Sequence, residues 1–153
     1  MLEQQIDELR ELAAGIHPAV LSSRGLIAAV DALAAHSPVP IIVKGALPQR
    51  LEESVESNAY FVIAEAVTNA LKHAGASRIH VQVELADSLL LTIADDGRGG
   101  VPSDPAASGS AMGLIGLADR VSAFDGTLTI ESPPGAGTKI RAEIPTESAS
   151  RYA

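Results

Sequence analysis

The hydrophobic period of this chain changes at Gly75, and that change limits the folds open to it. From about Glu52 to Ala74 the sequence is rich in Ala, Val and Glu and reads as one long helix closed by the glycine. Beyond it, Ile79, Val81, Val83 and Leu85 alternate with polar residues, as do Leu89, Leu91 and Ile93, with Ala86 to Ser88 as the turn between them. Further along, the same reasoning gives a strand at Val39 to Val43 and a helix from about Gly113 to Phe124. Alternation then resumes at Leu128 and Ile130, followed by a turn at Pro133 to Gly137 and a last strand with Ile140, Ala142 and Ile144. This order predicts an α+β fold, a two-layer α/β sandwich whose mostly antiparallel mixed sheet carries helices on one face.

Ahead of this core, Leu2, Ile6, Leu9, Ala13 and Ile16 recur at spacings of four, three, four and three, the stripe of a helix that lies along another helix. The stripe is already running at Met1, which reads as the cut end of a longer helix, and Pro18 ends it. Ser22 or Ser23 is expected to cap a second helix reaching about Ala35, with Leu26, Val30 and Leu33 on one face. The tail after Pro145 is expected to fray.

At 153 residues and 46% hydrophobic side chains, the chain can bury one real core, so one globular unit is expected. It has no cysteine, which excludes disulfides and thiolate metal sites and suits a cytoplasmic setting. No signal-peptide pattern or membrane-length apolar run occurs, so no membrane contact is expected. A net charge of −8 with 3% aromatics lacks the electrostatic footprint of a nucleic-acid binder. Any polyanionic ligand would need local compensation from Mg²⁺, placed cations or backbone N–H groups.

Four places could carry chemistry. On the long helix, Asn58, Glu65, Asn69 and Lys72 project within a stripe of about 60°, with His73 beside it. The stripe reads equally as a solvated face. Phe61 and Val62 fall on or near it, however, and they suit the wall of a ligand cleft better than a wet surface. The set is also chemically mixed: a carboxylate for polarisation, an amide oxygen for Mg²⁺, an ammonium for phosphate. The second place is Asp95-Asp96-Gly97-Arg98-Gly99, where a strand ends in a glycine loop. It is ordinary turn chemistry, or else a carboxylate able to accept from a ligand amine beside glycines that admit a flat ring. The third is Gly109-Ser110-Ala111-Met112-Gly113-Leu114-Ile115-Gly116, a glycine-rich connection or a helix start offering free N–H groups to an anion. The fourth, Gly135-Ala136-Gly137-Thr138, reads first as a hairpin turn. Residues 97 to 112 hold Gly97, Gly99, Gly100, Pro102, Pro105 and Gly109, too broken for regular structure, and the loop from Arg98 to Met112 is expected to be disordered without ligand.

Taken together and in order, these places resemble the histidine kinase branch of the ATPase superfamily that also holds gyrase, the Hsp90 chaperone and MutL. The run from Glu65 through Asn69 to Lys72, His73 and Ala74 looks like its N box. Asp95-x-Gly97-x-Gly99, Gly113-Leu114-Ile115-Gly116-Leu117 and Gly137-Thr138 look like its three glycine boxes. The likeness covers about residues 50 to 145. Upstream, Leu9-Arg10-Glu11-Leu12, Gly15 to Leu21 and Gly25-Leu26 resemble the end of the dimerisation domain in the NarL-associated subgroup.

The resemblance implies the Bergerat (GHKL) fold and three parts: residues 1–21 as the end of a dimerisation helix, 22–147 as an ATP-binding catalytic domain, and 148–153 as a tail. It implies ATP and Mg²⁺ as cofactors. Asp95 would bind the adenine amino group, Asn69 would coordinate Mg²⁺, and Lys72 and His73 would contact phosphate. Glu65 would be the catalytic acid/base. Gly97, Gly99, Gly113, Leu114, Gly116 and Thr138 would shape the nucleotide pocket and its loop. Implied partners are the kinase's own dimerisation and phosphoacceptor domain and a response regulator.

The pattern departs from the family in three ways. Ala111 stands where the second glycine box usually opens with glycine, no separate phenylalanine box is evident, and no phosphoacceptor histidine motif occurs. His17, directly before Pro18, is rejected as the acceptor, and His36 and His80 are read as structural or exposed. The expected activity is therefore transfer of the γ-phosphoryl group to a histidine outside these residues, with little turnover alone. An anti-sigma-type regulatory serine kinase of the same fold is the alternative, disfavoured by residues 2 to 21.

Overall fold

Alternating burial along each strand decides how the layers sit. In the computed structural model, which describes residues 19–48, 50–100 and 112–146 (for 73, 74 and 112–116 the backbone only), Ile79, Val81 and Val83 are buried while His80, Gln82 and Glu84 are exposed. Leu89, Leu91 and Ile93 of the next strand and Ile140, Ala142 and Ile144 of the last are buried on that same face. The helices cover this face, and the other is a polar surface that includes Lys139, Arg141 and Glu143.

In chain order the elements are α1 (Ala19–Arg24), α2 (Leu26–Ala35), β1 (Ile41–Gly45) and α3 (Glu53–Asn69), which runs into a π-helical turn (Ala70–Ala74). They continue with β2 (Ile79–Leu85), β3 (Ser88–Asp95), α4 (Met112–Ala123), β4 (Thr127–Glu131) and β5 (Thr138–Pro145). The five-stranded sheet has the order β1-β2-β3-β5-β4. β1 pairs parallel with β2, across the α3 connection, and the other pairs are antiparallel. The expected α+β two-layer class with a mostly antiparallel mixed sheet is what forms. In the core, α3 contributes Ala59, Val62, Ile63 and Val67, α2 contributes Leu26, Val30 and Leu33, and α4 contributes Leu117 and Val121.

Three local expectations are corrected. Ser22 and Ser23 lie inside α1, not at a helix start, and Ser23 Oγ donates back to Ala19 O at 3.0 Å, satisfying its hydroxyl within the helix. The break falls at Gly25, whose φ of 95° only glycine adopts readily, and α2 begins after it. The first strand starts two residues later than expected, because Ser37 Oγ closes a local turn on both the N–H and the carbonyl of Val39. The end of the long helix widens from α to π before Gly75, with φ of 64°, stops it. The stripe at residues 2 to 16, His17, the loop 101–111 with Ala111, and the tail lie outside the described residues.

Candidate functional site

The polar stripe on α3 is not a wet face. Asn58 is 2% exposed and Glu65 9%, Asn69 is half-buried, and Lys72 in the π turn is exposed. The stripe therefore runs from the interior to the surface along the helix. Val62 is fully buried in the core, and Phe61 carries the Arg120 guanidinium 3.8 Å from its ring centroid. The two apolar residues thus have separate roles: Val62 holds α3 on the core, and Phe61 faces α4. The Nδ2 of Asn69 is buried with no hydrogen-bond partner among the described residues. The orphan atom is an N–H donor, so what it could take is an acceptor oxygen and not a cation.

Asp95 is the last residue of β3. Its position in β3 has the parity of Leu89, Leu91 and Ile93, so its side chain faces the helix layer. It is paired in register with Ile79 on one side and Thr138 on the other. Asp95 Oδ1 accepts the Gly97 N–H at 2.7 Å, and the carboxylate also accepts the backbone N–H of Thr138. Burial outweighs these bonds and pushes the Asp95 carboxyl above the usual aspartate range.

Asp96 points the other way. Its carboxylate accepts the backbone N–H groups of Ser77 and Arg78, at 2.8 and 3.0 Å, and the Ser77 hydroxyl. These bonds, the Ser77 hydroxyl first, hold its carboxyl below the usual range. They also join the segment leaving α3 to the end of β3, so Asn69 and Asp95 share one end of the molecule and one face of the sheet. The Asp96 clamp and the π turn were not anticipated. Asp-Gly adjacency is a weak signal, and no residue preference marks a π turn.

The two outer glycine boxes close on each other. The Gly100 N–H donates to Ser132 O at 2.8 Å and the Gly135 N–H to Arg98 O at 2.6 Å. A Cβ at Gly99 would lie 2.2 Å from Pro133 O, and one at Gly137 would lie 2.1 Å from Asp95 O. Neither backbone could approach so closely with any side chain present. Thr138 is buried, and its Oγ1 lies 2.7 Å from Ser132 Oγ. The fourth place is thus a hairpin turn, as first read, and it also supports Asp95. Gly113 and Gly116 stand in the first turns of α4. The side chains of His73 and Leu114 lie outside the described residues, as does the loop that joins Gly100 to α4.

This arrangement can be set beside known proteins. Residues 54–148 match the model of the histidine kinase-, DNA gyrase B- and HSP90-like ATPase family. The chain belongs to that ATPase family.

Within it, the chain is 37% identical over 99 residues to the signal transduction histidine-protein kinase/phosphatase DegS of Bacillus subtilis, covering 63% of this chain and 26% of that protein. It is 31% identical to the sensor histidine kinase ComP of the same organism over 153 residues, covering 94% of this chain and 20% of that kinase. The chain thus spans about a quarter or less of these relatives' length. The ATP-binding domain of PrrB from Mycobacterium tuberculosis superposes with a TM-score of 0.61 at 21% identity, covering 79% of this chain and 90% of that one, and so shares the fold. The resemblance to the histidine kinase branch, and within it to the NarL-associated kind, is borne out.

Proposed function

We propose that this ATPase-family chain binds ATP with Mg²⁺ and supplies the γ-phosphoryl group to a histidine outside these 153 residues, for relay to a response regulator. What supports this reading is that the Asp96 clamp joins the end of β3, where Asp95 faces the helix layer, to the segment leaving α3, the helix that ends at Asn69, with Gly99 and Gly100 at positive φ beside it.

In this reading Asp95 accepts the adenine amino group. Gly97 and Thr138 hold the carboxylate in place through their N–H groups. Among the described residues no group of three His, Asp or Glu side chains could cage a metal. The Asn69 amide oxygen is the donor of this set that would hold Mg²⁺, and the ion would supply charge neutralisation at the phosphates. Lys72 and His73 contact phosphate. Gly97, Gly99, Gly113, Leu114 and Gly116 enclose the nucleotide. Glu65, four residues before Asn69 on the same helical face, polarises the attacking group as acid/base.

Residues 1–21 are proposed as the end of the dimerisation helix, 22–147 as the catalytic domain and 148–153 as a tail, in a cytoplasmic setting. The ComP similarity, which reaches well before residue 54, favours the kinase over an anti-sigma role. Calorimetric titration with a non-hydrolysable ATP analogue and Mg²⁺ tests the reading. Saturable one-to-one binding is expected, and no heat of binding would refute it.

A further inference from the structure

The last four carbonyls of any helix lack partners within it. In α4 these begin at Arg120. Val121 O takes the N–H groups of Phe124 and Gly126, and Ser122 O takes that of Asp125. Arg120 O instead accepts from the side chain of Asn58, whose Nδ2 lies 3.3 Å away on α3. The Arg120 guanidinium then folds over Phe61, one turn along from Asn58. The main chain and side chain of one α4 residue therefore grip two neighbouring positions of α3. Two contacts that are not collinear fix both the height and the rotation of α4.

Asn58 is an unlikely choice if stability alone were at stake. Only its NH₂ can serve Arg120 O, and its Oδ1 is left buried with no hydrogen-bond partner among the described residues. A leucine of similar shape would remove that orphan oxygen, although the Arg120 carbonyl would lose its side-chain partner. Asn58 also cannot touch the phosphates, because the rise of an α-helix sets it about 16 Å from Asn69 along α3.

We propose that Asn58 is a positioning residue for the phosphate end of the site: by capping Arg120 it sets α4, and with it the glycine-bearing first turns of that helix, against the Asn69 end of α3. The proposal rests on the ATP reading above. Its effect belongs to the phosphates and not to the adenine, which meets Asp95 on the sheet.

The test compares the wild-type chain with Asn58→Leu, titrating each with a non-hydrolysable ATP analogue plus Mg²⁺ and, separately, with adenosine. The thermal midpoint of each protein is measured alongside. The expected result is analogue affinity lowered about fivefold and adenosine affinity unchanged, with a midpoint that leaves the variant folded at the titration temperature. Equal loss for both ligands, or no loss for either, overturns the proposal. If Asn58→Leu does not fold, Arg120→Met on the exposed side of the same seam is judged by the same criteria, with a smaller loss expected. Failure of the wild type to bind the analogue sinks the ATP reading itself, a different outcome from a wild type that binds and a variant that binds as well.

Discussion

Arg50 grips the buried carboxylate of Glu56 from both sides. Its Nε lies 3.2 Å from each oxygen and its Nη2 2.9 Å from Oε1. The same Nη2 reaches the carbonyls of Leu21 and Ser22, and the Leu51 N–H completes the carboxylate's partners. One guanidinium thus ties the end of α1 to the first turn of α3. Glu56→Ala is expected to be destabilising, because it leaves a cavity and removes the carboxylate that joins Arg50 to the Leu51 N–H. Arg50→Ala is destabilising too, since it leaves Glu56 charged and buried without its partner. The double replacement by methionines should recover most of the loss. Urea denaturation of the three variants checks this, and a double variant as unstable as Glu56→Ala would contradict it.

Asp95 predicts a pH dependence. In the proposed role the ionised carboxylate is the stronger acceptor for the adenine amine, and burial raises the pKa of that carboxyl. As pH falls through the raised value the acceptor is lost, so analogue affinity should decline at a higher pH than an ordinary aspartate would give. Stability moves in the opposite sense: a carboxyl with a raised folded-state pKa disfavours the native state when ionised, so its contribution improves as pH falls through that value. Asp95→Asn should weaken binding about tenfold or more and flatten the profile. Titrations from about pH 8 down to about pH 5, with parallel denaturation, separate the two trends.

Gly137 admits no side chain. Its φ is 77°, and an added Cβ would lie 2.1 Å from the Asp95 carbonyl oxygen. Gly137→Ala is expected to destabilise the fold by about 2 kcal/mol or more, and to weaken nucleotide binding further by displacing Asp95. Thermal unfolding together with calorimetry checks both. An alanine variant with native affinity would mean that the hairpin does not support the adenine end.

Glu65 should separate binding from chemistry. Glu65→Gln keeps the shape of the side chain, so analogue affinity should stay within about threefold, while phosphotransfer to an added acceptor domain falls about a hundredfold. Labelled-phosphate transfer assays decide it, and undiminished transfer would remove Glu65 from its assigned role.

Most of the sheet could be read from the sequence, because one wet face and one dry face force the alternation at 79–85, 89–93 and 140–144. The long helix was equally clear, being long enough for its period to dominate. What escaped was set by tertiary contacts or by weak local preferences. Gly25 breaks the first helices where serine caps were expected, because each serine can satisfy its hydroxyl inside a helix. The parallel pairing of β1 with β2 leaves no mark in either strand. Glu65, Asn69 and Asp95 were legible as residue types at a spacing. What joins the end of β3 to the segment leaving α3 is the contact of Asp96 with Ser77, an interaction between residues 19 apart that periodicity cannot reveal.

The adjacent aspartates have one further consequence. Because neighbouring strand residues emerge on opposite sides, sliding β3 by a single position would exchange them, turning Asp96 inward and Asp95 out to water. A one-residue deletion between Leu89 and Ile93 should therefore break the Asp96 clamp on Ser77 and Arg78 even if five strands still assemble, untying the end of β3 from the segment that leaves α3.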